Sequence, residues 1–224
     1  MREARYPGHA RPHGPRREFR RPEDDPPGTS RLFVAVPVEG SVRTAVGRLM
    51  ERLAGPAASI EERAAGQPRW VRIEGLHLTL RFLGATPDVR QAELGAAIEA
   101  AAREESAFTV ALSGGGAFPT QQYPRVLWLG IVEGAPQLQS LAARLNTELA
   151  LLGWTSDDRP LQAHLTLART DGVPGADDAA RRLVEAARDL RLAWTADRIV
   201  LYKSVLGRGP TRYEVVSEAQ LQAH

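Results

Sequence analysis

Two copies of one tetrapeptide, HLTL, carry the side chains of this chain that are best suited to proton transfer. The copies occupy residues 77–80 and 164–167, and each lies in a predicted strand. Because successive side chains of a strand point to opposite faces, His77 shares a face with Thr79, and His164 shares a face with Thr166. Two such strands side by side would direct two imidazoles and two hydroxyls at one small anion.

Paired histidines favour acid–base cleavage of a phosphodiester. Hydrolysis removes one proton from the attacking water and delivers one to the departing oxygen, and a side-chain pKa near 6.5 suits histidine to both steps. The threonine hydroxyls can donate to the non-bridging phosphate oxygens. Arg169, five residues after His164, is the expected bidentate phosphate partner. A structural role for each histidine is the competing interpretation, and the repeated tetrapeptide favours function.

Other chemistries find little support in the sequence. Two histidines hold zinc only with a third ligand, and no HExxH-like or Asp/His cluster accompanies either copy, so neither a metal nor a cofactor is expected. The chain has no cysteine, which excludes disulfides, thiolate sites and cysteine nucleophiles. No GxSxG motif marks a nucleophilic serine. Gly114–Gly116 is not followed by GK[ST], so we predict a tight turn there and not a phosphate-binding loop.

Charge separates the N-terminal segment from the rest. The 224 residues carry 29 basic and 27 acidic side chains, of which seven arginines and five acids lie in residues 1–30, so the remainder is formally neutral. Bulk charge therefore does not indicate nucleic-acid binding, and anion recognition needs a local cluster. Residues 1–30, with His9 and His13, are rich in proline and arginine and are predicted to be a disordered tail.

Hydrophobic periodicity divides residues 31–224 into alternating strands and helices. Strands are predicted at 32–37, 70–73, 76–83, 108–112, 126–132, 161–168, 190–205 and 212–216, and helices at 39–54, 88–103, 136–152 and 177–187. Several strands follow one another directly, which favours an α+β fold with antiparallel sheets. We expect one bilobal domain, in which two pseudo-symmetric lobes line a central cleft, helices lie outside, and each lobe contributes one HLTL strand.

The motifs and their flanks resemble the 2H phosphoesterase superfamily and, more narrowly, the RNA 2′,3′-cyclic phosphodiesterases, also called the 2′-5′ RNA ligase family. The resemblance runs from Arg31 to about Ser217. It includes RLFVAVP at 31–37, RWVRIEGLHLTLRFLG at 69–84, GAFP at 116–119, PRVLWLG at 124–130, HLTLAR at 164–169 and SVLGRGPTRYEVV at 204–216.

The resemblance implies a bilobal α+β body and metal-independent hydrolysis of a 2′,3′-cyclic phosphate to a 2′-phosphate, with 2′-5′ ligation as the reverse activity. It implies that His77 is the proton donor to the leaving 3′ oxygen and that His164 is the proton acceptor from water. Thr79, Thr166 and Arg169 are then expected to hold the phosphate. The expected substrates are RNA ends bearing a 2′,3′-cyclic phosphate or small cyclic nucleotides.

The segment between residues 114 and 125 offers further candidates. Phe118 or Tyr123 could stack on a base and Arg125 could contact a phosphate, although ordinary packing or solvation is the favoured interpretation for each of the three. The tryptophans of the predicted strands are expected in the core: Trp70, Trp128 and Trp194.

Two alternatives to this function stay open on sequence grounds. One is a related 2H enzyme acting on small cyclic nucleotides or on 2′-5′ linkages, and the other is a non-catalytic RNA- or nucleotide-binding module that keeps the cleft. No apolar run approaches the roughly 20 residues of a membrane helix, and no secretory signal is recognisable. We therefore expect a monomeric cytoplasmic protein without a membrane partner.

Overall fold

The computed structural model describes residues 25–55, 68–155, 160–170, 173–205 and 211–223. Its strands are β1 Thr29–Pro37, β2 Arg69–Trp70, β3 His77–Pro87, β4 Phe108–Phe118, β5 Val126–Glu133, β6 His164–Arg169, β7 Leu192–Ala196, β8 Arg198–Val205 and β9 Arg212–Gln220. Its helices are α1 Gly40–Ala54, α2 Gln91–Ala102, α3 Ala135–Leu151 and α4 Ala176–Ala186, with 3₁₀ turns at Ile73–Gly75 and Asp88–Arg90. Most of the predicted tail (residues 1–24, with His9 and His13) lies outside the described residues.

Two antiparallel sheets form the framework, which confirms the expected α+β class. The first sheet has the strand order β3-β1-β8-β9 and the second has the order β2-β6-β5-β4-β7. In both sheets the HLTL strand, β3 or β6, pairs with the strand that precedes it by one helix, β1 or β5. The two copies of HLTL therefore occupy matching places in the two sheets.

The crossover helices connect the two lobes to each other. Helix α1 joins β1 to β3 of the first sheet but packs on β7 and α4, whereas α3 joins β5 to β6 of the second sheet but packs on β3 and α2. The apolar faces of all four helices contribute to one continuous core cluster. Separating the HLTL strands would expose that core, so the packing fixes their relative position. None of the described helices is long and apolar enough to cross a membrane.

A β-bulge follows the HxT residues in each HLTL strand. Leu80 has no partner residue where β3 pairs with β1, and Leu167 has none where β6 pairs with β5. An extra residue in one strand reverses the face of every residue beyond it. The residue five positions after each histidine, Phe82 or Arg169, therefore returns to the histidine's own face.

The predicted tight turn at the glycine run is wrong, because these residues belong to β4. A Cβ atom at Gly116 would lie 2.3 Å from Cζ2 of Trp128, and one at Gly115 would lie 2.8 Å from Cγ of Leu183. Glycine is needed at these two positions because neighbouring side chains approach the strand backbone closely, whereas Gly114 has a positive φ of 70° at an irregularity in the register of β4. The sequence pattern of a turn thus reflects tight packing here.

Several predicted strand bounds also differ from the observed ones, and two of these differences arise where the chain passes from one sheet to the other. The predicted strand 190–205 is divided at Asp197 into β7, which pairs with β4, and β8, which pairs with β1. The strand predicted at 70–73 ends at Trp70, because the chain leaves the second sheet there and passes through a 3₁₀ turn into the first. The strand predicted at 161–168 begins only at His164.

Candidate active site

Both HLTL histidines are anchored in the same way through one ring nitrogen. Nδ1 of His77 lies 2.6 Å from the carbonyl oxygen of Gly75, and Nδ1 of His164 lies 2.7 Å from the carbonyl oxygen of Gln162. A carbonyl oxygen only accepts, so Nδ1 carries the hydrogen in each ring. In the neutral form this leaves the lone pair on Nε2, which is free to accept a proton or, once protonated, to donate one.

Aromatic rings from the other three strands of the first sheet surround His77. Ring centroids of Phe33 and Tyr213 lie 4.7 Å and 5.1 Å from the imidazole, and that of Tyr202 lies 6.1 Å away. Tyr213 belongs to β9, three strands from β3, which is about 14 Å in a flat sheet. The sheet is therefore strongly curled, and its two edges approach each other on the cleft side.

This enclosure changes the protonation of His77. Burial is the largest cause, and it lowers the pKa of His77 from 6.5 to about 4; the hydrogen bond to Gly75 opposes the shift, and the charges of Arg169 and His164 add to it. The imidazole keeps a partly exposed surface, yet the surrounding rings replace most of its water. His77 is consequently neutral near pH 7 when the site is empty.

His164 lies in a less enclosed environment in the second sheet. Phe118 meets its ring edge-on at 5.1 Å and packs in turn on Trp128 at 5.0 Å. Trp128 was expected in the core but lies on the cleft face, because it pairs with Thr166 while its neighbours Leu127 and Leu129 face inward. Burial lowers the pKa of His164, the hydrogen bond to the Gln162 carbonyl opposes the shift, and Arg169 lowers the pKa further.

The predicted phosphate ligands lie on the same two faces as the histidines. Thr79 and Thr166 are half-buried, each two residues after its histidine. The exposed Arg169 reaches the histidine face through the bulge in β6, and its charge lowers the pKa values of both His77 and His164. The guanidinium is therefore near enough to both imidazoles for its charge to disfavour the protonated form of each.

Phe82 is a candidate that the sequence interpretation missed. It pairs directly with Phe33, their ring centroids are 6.0 Å apart, and its side chain is 64% exposed. The bulge in β3 gives it the place that Arg169 has in β6. The signal was present in the sequence, since HLTLRF and HLTLAR align these two residues.

Of the three candidates predicted between residues 114 and 125, only Phe118 contacts a histidine. Phe118 contacts His164 and Trp128, so it supports the imidazole and is not a free stacking surface. Tyr123 is 80% exposed, and the exposed Arg125 donates its backbone N–H to the Phe118 carbonyl at 2.6 Å. Over the described ranges, no ring contact or hydrogen bond joins Tyr123 or Arg125 to either histidine.

The geometry suits a proton-transfer site that binds an anion. His77 and Thr79 of β3 lie near His164, Thr166 and Arg169 of β6, because the two strands contact each other and the charges of Arg169 and His164 act on His77. Among the residues that the structure describes, no three His, Cys, Asp or Glu side chains are grouped so as to hold a metal ion. The groups that are present can supply both proton transfers and neutralise a phosphate.

Comparison with known proteins gives consistent matches. A sequence model of the 2′-5′ RNA ligase superfamily matches residues 41–208. A protein of Geobacillus stearothermophilus named RNA 2′,3′-cyclic phosphodiesterase is 32% identical over 190 residues, covering 84% of this chain and 56% of that protein, so the chain spans little more than half of that relative. A Thermotoga maritima protein of the same name is 29% identical over 192 residues, covering 86% and 96%.

Solved structures match over a similar part of the chain. The crystal structure of TT0787 of Thermus thermophilus is 27% identical with a TM-score of 0.67, covering 87% of this chain and 99% of that one. The structure of E. coli LigT complexed with 3′-AMP has a TM-score of 0.65 at 24% identity, covering 86% and 98%, and supports the same fold.

Proposed function

Since the chain belongs to the 2′-5′ RNA ligase superfamily, we propose that it hydrolyses 2′,3′-cyclic phosphate ends of RNA to 2′-phosphates without a metal ion. The observation that carries the proposal is the similar setting of two histidines, His77 and His164, on the two HLTL strands. Both imidazoles are held through a hydrogen bond from Nδ1, and the charge of Arg169 lowers the pKa of both. The relatives named RNA 2′,3′-cyclic phosphodiesterase support the proposal.

The two histidines have opposite roles in this reaction. A water molecule attacks phosphorus from the side opposite the 3′ oxygen, and the bond from phosphorus to that oxygen breaks. His164 accepts the proton of the water at Nε2, while His77 donates a proton from Nε2 to the 3′ oxygen. The products are a 2′-phosphate and a 3′-hydroxyl. The transfer leaves His164 charged and His77 neutral, and solvent exchange restores both.

The phosphate ligands stabilise the charge that develops on the non-bridging oxygens. Arg169 offers a planar fork of N–H donors, and the hydroxyls of Thr79 and Thr166 add one donor from each sheet. An anion bound between the imidazoles also favours their charged forms. Substrate binding therefore helps His77, neutral in the empty site, to take up the proton that it later donates.

The position of the leaving group determines where the nucleoside lies. Attack and departure are in line, so the ribose that carries the 3′ oxygen lies on the His77 side of the phosphate. The exposed ring of Phe82 packs on Phe33, which in turn contacts His77, and base stacking on an aromatic ring contributes about 1–3 kcal/mol. We assign base stacking to Phe82, in preference to Phe118 or Tyr123.

The proposal extends to 2′-5′ ligation as a second reaction of the same site. A 5′-hydroxyl of RNA that replaces the water beside His164 attacks the cyclic phosphate, and the 3′ oxygen departs as before. The product is a 2′-5′ phosphodiester, and the reverse path cleaves such a linkage. Cyclic nucleotides without an RNA chain satisfy the same phosphate ligands and are a further substrate class.

The test is hydrolysis of an RNA oligonucleotide that ends in a 2′,3′-cyclic phosphate, in the presence of EDTA. Wild type is expected to form a 2′-phosphate end. His77→Ala and His164→Ala are expected to lose roughly 10²–10⁴-fold in rate, the usual contribution of a general acid or base. Unfolding curves of both variants serve as the control for folding.

Three results would contradict the proposal. They are a 3′-phosphate product, a histidine variant within a few-fold of wild type, or loss of activity in EDTA that added zinc or magnesium restores. Binding of the RNA end by wild type without turnover would instead favour a non-catalytic binding module.

A further inference from the structure

A pocket of about 200 Å³ lies next to the His77 side of the cleft and has no part in the proton transfers. It is lined by Arg72, Glu74, Gly75, Thr211, Arg212 and Tyr213. The first three belong to the segment that precedes β3, and the last three lie at the start of β9. The pocket thus sits where the two edges of the curled first sheet approach each other.

Two contacts connect this pocket to the catalytic histidine. The carbonyl of Gly75 accepts the Nδ1 hydrogen of His77 at 2.6 Å, and the ring of Tyr213 stands perpendicular to the imidazole at 5.1 Å. Tyr213 also packs on Gly75, where a Cβ atom would lie 2.8 Å from its Cδ2. Two residues of chain span at most about 7 Å, so the pocket is the immediate neighbour of His77.

The pocket lining has the chemistry of a phosphate site. Arg72 and Arg212 bring two guanidinium groups, and Thr211 brings a hydroxyl. Glu74 brings a single carboxylate, so the formal charge of the lining is positive. Arginine recognises phosphate through paired N–H donors, and much of the hydrogen bonding between proteins and nucleic acids is to the phosphate oxygens and sugars.

We propose that this pocket binds the phosphodiester on the 5′ side of the terminal nucleotide of the RNA. The inference rests on the proposed function, because in-line departure of the 3′ oxygen places the ribose on the His77 side. The next phosphate along the chain is one nucleotide further in the same direction, where Arg72 and Arg212 lie. The preferred substrate is then the end of an RNA chain, and a nucleoside 2′,3′-cyclic phosphate without a 5′ phosphate lacks half of the recognition.

The test compares two product analogues that differ only in the 5′ phosphate. Binding of adenosine 2′-monophosphate and of adenosine 2′,5′-bisphosphate is measured by calorimetry with wild type, Arg212→Ala and Arg181→Ala. Arg181 is an exposed arginine on α4 and is the matched control for loss of one positive charge. Wild type is expected to bind the bisphosphate tenfold or more tighter, as one charged hydrogen-bonded contact provides.

The variants distinguish binding of the 5′ phosphate in the pocket from a general attraction by the protein's positive charge. Arg212→Ala is expected to reduce the preference for the bisphosphate to threefold or less, and Arg181→Ala to keep it at tenfold. Glu74→Gln, which removes the one negative charge of the lining, is expected to increase the preference.

Three outcomes overturn the inference: no measurable binding of the bisphosphate, equal affinity of wild type for the two ligands, or a preference that Arg212→Ala leaves intact. Turnover of cyclic phosphate ends is measured separately. If the protein turns over cyclic phosphate ends but binds the two analogues equally, the pocket assignment is wrong and the proposed function stands. If the protein prefers the bisphosphate but does not turn over cyclic phosphate ends, the proposed function is wrong and the phosphate-binding pocket stands.

Discussion

Acidification should destabilise the fold through His77. Burial lowers the pKa of His77 to about 4 in the folded protein, against 6.5 in the unfolded chain. Between these two values the unfolded state binds a proton that the folded state does not. The stability from the neutral imidazole is therefore fully present above pH 6.5 and is lost as the pH falls towards 4. At about 1.4 kcal/mol per pH unit, the full interval corresponds to about 3 kcal/mol.

The assay is urea denaturation of wild type and His77→Gln at pH 7 and at pH 4. Carboxylates and the other histidines titrate in both proteins, so the difference between them isolates His77. We expect wild type to lose about 3 kcal/mol more than the variant over this interval. His164→Gln should show the same sign, because burial also lowers the pKa of His164.

Equal acid sensitivity of wild type and His77→Gln would refute this reasoning. It would mean that the imidazole titrates as it does in water, and that the rings of Phe33, Tyr202 and Tyr213 do not keep water from it. The proposed uptake of a proton by His77 on substrate binding would then lose its basis.

Three further predictions address the site and its supports. The pH profile of kcat/KM should be bell-shaped with its maximum on the acid side of pH 6.5, because one imidazole must be charged and both pKa values are lowered. A flat profile from pH 5 to 8 would contradict the acid–base assignment. Arg169→Ala should lower kcat/KM by about 100-fold and raise both histidine pKa values in an NMR titration, since a nearby positive charge is removed. Arg169→Lys, which keeps the charge, is the control. Unchanged pKa values with near-normal kinetics would show that Arg169 is not part of the site. Gly116→Ala should destabilise the protein by about 1–3 kcal/mol in urea denaturation, because the new methyl group would lie 2.3 Å from the Trp128 ring. Gly95→Ala, whose methyl group meets only ordinary contacts, is the control. Equal stability of the two variants would count against the packing argument.

Local patterns were sufficient to predict most elements of the fold. The apolar spacing of α1 and α3 and the alternation in β3 and β6 each reflect one face turned towards a common core. The repeat of HLTL predicted two matching sheets, and the expected α+β fold is confirmed. The glycine run in β4 misled because glycine serves equally in turns and under a packed ring such as Trp128.

Features that depend on distant parts of the chain could not be predicted from local sequence. The curl that brings Tyr213 of β9 against His77 of β3 comes from the whole sheet, and so does the lowered pKa of His77. The break at Asp197 depends on which sheet each half of the segment joins. The bulges after the HxT residues were detectable in principle, since Phe82 and Arg169 hold the same position in the repeat.

The central claim, that His77 donates a proton to the leaving 3′ oxygen and His164 accepts one from water, is tested most directly with a sulfur leaving group. The substrate is a 2′,3′-cyclic phosphate end in which sulfur replaces the bridging 3′ oxygen. A thiol pKa near 8.5 lets the group depart without a donated proton. We predict that this substrate restores turnover to His77→Ala and not to His164→Ala. Rescue of His164→Ala alone, or of neither variant, would contradict the account.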